Sequence, residues 1–93
     1  MLRILVIEDE SRIRSFMARA LEAEGFAVDG ADNGPDGLER ALRGTYDLVI
    51  LDLLLPALDG LSVMRELHRR APDLPVVIVS ARSDLPTKLR GFE

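Results

Sequence analysis

The sequence has no cysteine and only one histidine, His68, among its 93 residues. The absence of cysteine excludes disulfides, thiolate zinc sites and a cysteine nucleophile. A zinc or copper site is also disfavoured, because those metals are usually held by imidazole and thiolate ligands.

Long apolar runs and a surplus of basic residues are missing as well. No apolar run approaches the ~18–20 residues that a membrane-spanning helix needs. The acids Glu8 and Asp9 come too early for a signal peptide, so we expect a cytoplasmic protein without membrane contact. The chain has 12 basic and 16 acidic residues. This balance argues against direct nucleic-acid binding by this segment, because nucleic-acid binders usually present a basic face.

Short apolar segments alternate with segments of helical spacing, as in an α/β protein. Strands are predicted over residues 2–7, 26–28, 48–51 and 76–79. Helices are predicted over residues 11–24, from the turn at 33–35 to Gly44, over 61–71 and over 84–93, with Gly25 as a left-handed cap. This order predicts one domain, a doubly wound parallel sheet with helices on both faces. Phe16, Met17, Met64 and Phe92 are expected to be core or helix-packing residues.

Polar side chains follow three of these strands: Glu8 and Asp9 after the first, Asp52 after the third and Ser80 after the fourth. Ligands of parallel α/β sheets bind beyond the carboxyl ends of the strands. Two negative charges ~4 Å apart repel by about 4 kcal/mol at an effective dielectric near 20. Either one acid stays protonated with a raised pKa, or a cation binds. A few carboxylates with open coordination positions suit Mg²⁺.

Each of these residues also has a purely structural interpretation. Glu8 and Asp9 could cap the first helix, Asp52 could be an ordinary acid between strand and loop, and Ser80 could form a turn. Their joint placement at one edge of the sheet favours a site over these alternatives.

A carboxylate beside Mg²⁺ can attack phosphorus as a nucleophile and form an aspartyl phosphate. It needs no general base, because it is already ionised at pH 7. The same acids could instead hydrolyse phosphate esters, but that reaction needs a further acid or base and a substrate pocket, and the sequence indicates neither. Nucleotide binding is weaker still, since residues 8–11 contain no glycine-rich loop.

Four sequence blocks, in order, resemble the CheY-like receiver domain of two-component response regulators. They are Ile-Leu-Val-Ile-Glu-Asp-Glu at 4–10, Asp-Leu-Val-Ile-Leu-Asp at 47–52, Leu-Pro with Asp-Gly at 55–60, and Val-Ser-Ala-Arg at 79–82. The resemblance implies a flavodoxin-like sheet with strand order 2-1-3-4. It also implies that residues 1–93 are a receiver without the family's fifth strand, fifth helix and output domain.

The resemblance further implies roles for individual residues. Asp52 would accept a phosphoryl group from a histidine kinase, and Ser80 would be the switch hydroxyl that binds this group. Mg²⁺ would be held by Glu8, Asp9, Asp52 and the backbone carbonyl of Leu54. Leu54 and Arg82 would tune the lifetime of the phosphoryl group.

The Ala-Arg pair after Ser80 is similar to regulators with a winged-helix DNA-binding output, so the parent protein is expected to regulate transcription. The chain would be no enzyme beyond its own phosphorylation and slow autodephosphorylation. Self-association is expected through the edge of the fourth strand or through the fourth helix. Two alternatives stay open, a pseudo-receiver that binds proteins without phosphorylation and a metal-dependent phosphohydrolase.

Overall fold

A computed structural model describes residues 1–53, 55 and 60–79. Within these ranges the chain forms a parallel sheet of four strands in the order β2-β1-β3-β4, with helices on both faces. The elements are β1 (Arg3–Ile7), α1 (Ser11–Ala23), β2 (Ala27–Ala31), α2 (Gly34–Arg43), β3 (Leu48–Asp52), α3 (Gly60–Arg70) and β4 (Val76–Val79). The predicted fold class and strand order are confirmed. The helix predicted over 84–93 lies outside the described residues.

The helix ends follow the local signals in the sequence. The Asn33 side chain accepts a hydrogen bond of 2.8 Å from the Asp36 N–H and caps the start of α2, and Gly44 caps its end. Gly25 has a φ of 97° after α1, the left-handed conformation predicted for it. None of the helices in the described ranges is long and apolar enough to cross a membrane.

The second strand is longer than its apolar pattern predicts. It pairs with β1 as far as the partners Ile7 and Ala31, although Asp29 and Gly30 interrupt the apolar run. The Asp29 carboxylate is balanced by the Arg3 guanidinium, 3.0 Å away. An edge strand tolerates such residues because its outer side faces water.

The alternation along the strands divides the core between the two faces of the sheet. Leu5, Ile7, Val49 and Leu51 pack against α2 and α3 on one face, while Ile4, Val6 and Ile50 pack against α1 on the other. This division makes the doubly wound arrangement stable, because each helix buries one apolar stripe.

Phe16 departs from the prediction that it is a core or helix-packing residue. The stripe of α1 that packs on the sheet includes Met17 and Leu21, which lie four residues apart on one side of the helix. Phe16 lies about 100° away from Met17 around the helix, and it is 68% exposed.

A polar network joins the amino-terminal ends of β1 and β3 to Asp29 in β2. The Tyr46 hydroxyl donates a 2.7 Å hydrogen bond to the Asp29 carboxylate, which also accepts one from Arg3. The Arg3 guanidinium lies 5.0 Å from the centre of the Tyr46 ring and bonds the Thr45 hydroxyl. These contacts tie the start of β1 and the residues just before β3 to the middle of β2, away from the predicted site at the other ends of β1 and β3.

Candidate metal centre

The strand register brings the acids of β1 and β3 to the same edge of the sheet. Ile7 is the register partner of Leu51, and Glu8 and Asp52 are the residues that follow this pair. One carboxylate oxygen from each of Glu8, Asp9 and Asp52 lies within 4.8 Å of the other two. The expected convergence of these three side chains is therefore present in the structure.

The three acids differ in their access to solvent. Glu8 is 3% exposed and Asp52 is 7% exposed, whereas Asp9 is exposed at the rim. The burial of Asp52 distinguishes it from an ordinary surface acid between strand and loop. The cluster thus has two buried carboxylates and one that opens towards water.

Three hydrogen bonds fix Glu8. Its N–H donates to the Ala31 carbonyl at 3.0 Å, which extends the ladder between β1 and β2 by one bond. Its side-chain Oε2 accepts from the Glu10 N–H at 3.1 Å, and its backbone carbonyl accepts from Arg14 Nη1 at 2.8 Å. The buried acid is therefore held at its backbone and at its carboxylate.

The pKa of Glu8 is raised from 4.5 to about 7. Burial is the main cause, opposed by the hydrogen bond from Glu10 and reinforced by the charges of Asp52 and Asp9. Without a cation, the cluster relieves its repulsion by keeping Glu8 protonated up to near-neutral pH. A bound divalent cation would instead favour the ionised carboxylate.

The donor set fits a hard cation. All three candidate ligand groups are carboxylates, and Mg²⁺ is commonly bound by one or two carboxylates together with water and phosphate oxygens. The residue that caps α1 is Glu10, whose side chain accepts a hydrogen bond from the Arg12 N–H at 3.3 Å. Glu8 and Asp9 are therefore not the capping side chains of this helix.

Gly60 positions the start of α3 against the end of β3. Its N–H donates to the Leu53 carbonyl at 3.1 Å. A Cβ at this position would collide with the Leu53 Cα and would lie 2.5 Å from the Asp52 carbonyl oxygen. A glycine is therefore required for the helix to approach the backbone beside Asp52 so closely.

Three of the predicted site residues, Leu54, Ser80 and Arg82, lie outside the described residues. One contributor was missed by the sequence analysis, namely Arg14, which bonds the carbonyl of Glu8. The sequence shows only an arginine early in α1 and a glycine, Gly30, in β2. Their proximity is visible only in the structure, where the side chain of Arg14 lies against Gly30.

A family model for the response regulator receiver domain matches residues 4–93. Among curated relatives, the transcriptional regulatory protein ResD of Bacillus subtilis is 37% identical over 91 residues, which are 98% of this chain and 38% of the relative. The response regulator ArlR of Staphylococcus saprophyticus is 41% identical over 93 residues, which are 100% of this chain and 42% of the relative. The chain thus spans less than half the length of these relatives.

A solved structure of the response regulator TrrA from Thermotoga maritima, in complex with Mg²⁺-BeF, has the same fold. It is 37% identical, with a TM-score of 0.91, and the match covers 99% of this chain and 80% of TrrA. TrrA in complex with the histidine kinase ThkA matches with 38% identity and a TM-score of 0.83, over 95% of this chain and 79% of the other. The chain belongs to the response regulator receiver domain family.

Proposed function

We propose that Asp52 is a phosphoacceptor, and that the chain takes a phosphoryl group from a phosphorylated histidine kinase. The observation that carries this proposal is the position of Asp52, buried at the end of β3 with the carboxylates of Glu8 and Asp9 within 4.8 Å. Three carboxylates this close together favour binding of a cation, and a bound cation in turn attracts the negatively charged phosphoryl oxygens.

The phosphoryl transfer requires no general base. A carboxylate oxygen of Asp52 forms a bond to phosphorus as the bond between phosphorus and the kinase imidazole nitrogen breaks. The electron pair of that bond returns to the imidazole, and the product is an aspartyl phosphate. The chain turns over no external substrate in this step, as expected of a family of signalling domains rather than classical enzymes.

The residues that would hold Mg²⁺ are Glu8, Asp9, Asp52 and the backbone carbonyl of Leu54. When bound, the metal supplies positive charge that offsets the negative charge of the acids and of the phosphoryl oxygens. Glu8, with three fixed hydrogen bonds, provides the rigid side of the pocket, and the exposed Asp9 provides the side open to solvent.

The remaining site residues enter the proposal through the resemblance to the family. Ser80 would bond the phosphoryl oxygens and start the switch, while Leu54 and Arg82 would tune how long the phosphoryl group persists. The parent protein would be a transcriptional response regulator, as the relatives' names suggest. Residues 1–93 would supply its receiver, a histidine kinase its phosphodonor and other segments its DNA contacts. The cytoplasmic location stays a prediction.

Mass spectrometry of the chain after incubation with acetyl phosphate and Mg²⁺ tests the proposal. We expect the gain of one phosphoryl group, located on Asp52 by peptide mapping after borohydride trapping, and its loss in Asp52→Asn. Asp47→Asn is the matched control, because Asp47 bonds the backbone N–H of Arg3 at the opposite end of the sheet. Absence of labelling would contradict the proposal and favour a phosphorylation-independent binding module. Equal labelling of Asp52→Asn would show that Asp52 is not the acceptor.

We also propose self-association through the β4 edge. Val76–Val79 is wholly apolar and lies at the edge of the described sheet, where Val77 is 43% exposed. An apolar edge without charged residues can pair with another strand, here that of a second copy of the chain. The fourth helix, the other predicted contact, lies outside the described residues.

A further inference from the structure

We infer that Arg14 is a positioning residue for the metal centre, acting through the backbone of Glu8 in a channel provided by Gly30. This inference rests on the proposed function, because it assigns a role in holding the pocket that binds Mg²⁺. Neither the sequence patterns nor the family resemblance assigns a role to either residue.

The end of the β1–β2 ladder explains why an arginine is useful at this place. The N–H of Glu8 makes a ladder bond to Ala31, but β2 ends at that residue and the chain turns into α2 at Asn33. The carbonyl of Glu8 belongs to a residue that is only 3% exposed, and a buried carbonyl needs a donor. Arg14 Nη1 supplies that donor at 2.8 Å.

The side chain of Arg14 reaches the carbonyl by crossing β2 above Gly30. A Cβ on Gly30 would lie 3.0 Å from Arg14 Cδ and 3.3 Å from its Cγ, which is closer than ordinary van der Waals contact. The missing side chain of Gly30 therefore leaves the space through which the arginine passes. The α1 helix and the β2 strand each contribute one half of this arrangement.

The arrangement acts on the metal ligands through the main chain. The carbonyl that Arg14 holds lies between the two side chains, Glu8 and Asp9, that offer ligand atoms on this turn. Arg14 also donates its backbone N–H to the Glu10 carbonyl at 2.9 Å. Both ends of the turn that carries the ligands are therefore tied to one residue of α1. Partners that orient metal ligands commonly contribute about 10–100-fold to metal affinity.

Calorimetric titration of the chain with Mg²⁺ tests this role. We expect Arg14→Met to raise the dissociation constant about ten-fold, and Arg14→Lys to recover most of the loss because its ammonium can still donate to the carbonyl. Arg12→Met removes the same charge from the same helix and is expected to bind Mg²⁺ as the wild type does. In the metal-free chain, Arg14→Met should accelerate amide hydrogen exchange at Glu10.

Gly30→Val provides an independent test, because it fills the channel while residue 14 remains an arginine. We expect it to weaken Mg²⁺ binding as Arg14→Met does, and to have no further effect when added to Arg14→Met. Wild-type Mg²⁺ affinity and wild-type Glu10 exchange in either single variant would overturn the inference while leaving the proposed function intact. A wild-type chain that binds no Mg²⁺ would overturn the proposed function and this inference with it.

Discussion

Glu8 and Asp52, from neighbouring parallel strands, are both almost completely buried, and the charge of Asp52 contributes to raising the pKa of Glu8 to about 7. Two adjacent buried acids destabilise the folded state unless one of them stays protonated or a cation binds to both. The pair is therefore a source of instability in the metal-free chain that binding of a cation can remove. This relationship links the stability of the domain to the occupancy of its site.

The first prediction concerns pH. Because the pKa of Glu8 is higher in the folded chain than its ordinary value of 4.5, its stabilising effect is complete below pH 4.5. This contribution is lost as the pH rises through about 7. As the pH rises from 4.5 to above 7, we expect the metal-free chain to lose on the order of 2–3 kcal/mol of unfolding free energy because of this group. The Glu8→Gln variant should lack this dependence, as measured by urea unfolding at several pH values.

Glu22→Gln is the matched control for that experiment, because Glu22 is an exposed acid on α1. It is expected to keep the pH dependence of the wild type. Added Mg²⁺ should stabilise the wild type more at pH 8 than at pH 6. If Glu8→Gln and the wild type had the same pH profile, the buried acid would not be the source of the effect.

A second prediction concerns the contact between α3 and β3. Gly60→Ala places a methyl group against the backbone of Leu53 and Asp52, so we expect a loss of about 2–4 kcal/mol in unfolding free energy. Gly25→Ala is the comparison, because Gly25 has open space around it and only its φ of 97° is unfavourable for alanine. It should cost about 1 kcal/mol. Equal losses in thermal or urea unfolding would contradict the close approach at Gly60.

The third prediction concerns the network at the amino-terminal ends of the strands. The hydroxyl of Tyr46, together with Arg3, holds the pKa of Asp29 below its ordinary value of 3.8. This contribution to stability is present above pH 3.8 and is lost as the pH falls through the lower folded-state pKa. Tyr46→Phe should therefore lower the unfolding free energy by about 1 kcal/mol at pH 7. The difference between variant and wild type should shrink in strong acid.

Tyr46→Phe also tests whether the two ends of the sheet act independently. Because the network lies opposite the acids, the variant should bind Mg²⁺ with the affinity of the wild type. A large change in Mg²⁺ affinity, measured by calorimetry, would show that this network supports the metal centre as well as the fold.

A fourth prediction follows from the exposed edge of β4. Val77→Lys places a charge on the apolar edge strand, and such charges oppose pairing with another chain. We expect light scattering at high concentration to detect association of the wild type and less association of this variant. Phe16→Lys, at an exposed position of α1, serves as the control for a general gain in solubility. A wild type that remains monomeric would contradict self-association through this edge.

The fold was largely predictable because most elements carry their own signals. The apolar runs of β1, β3 and β4 and the spacing of the helices require no knowledge of the partners they pack against. The second strand was predicted too short, because Asp29 and Gly30 break its pattern. Asp29 pairs with Arg3, which is 26 residues away in the chain, and Gly30 makes room for a side chain of α1.

The convergence of the three acids was predictable for a related reason. Glu8, Asp9 and Asp52 lie at the ends of recognisable strands, and parallel topology brings strand ends to one edge. The role of Arg14 could not be predicted, because a hydrogen bond to a backbone carbonyl leaves no pattern in the residues that it joins. The exposure of Phe16 could not be predicted from the sequence, because helical spacing gives the period of an apolar stripe but not its width.

The most direct test of the central claim is calorimetric titration of the chain and two ligand variants with Mg²⁺ at pH 8. We predict one Mg²⁺ per chain and at least about a ten-fold weaker affinity in both Asp9→Asn and Asp52→Asn. Asp73→Asn, which neutralises an exposed acid in the turn before β4, should bind as the wild type does. Wild-type affinity in Asp52→Asn would contradict the claim that these acids share one cation.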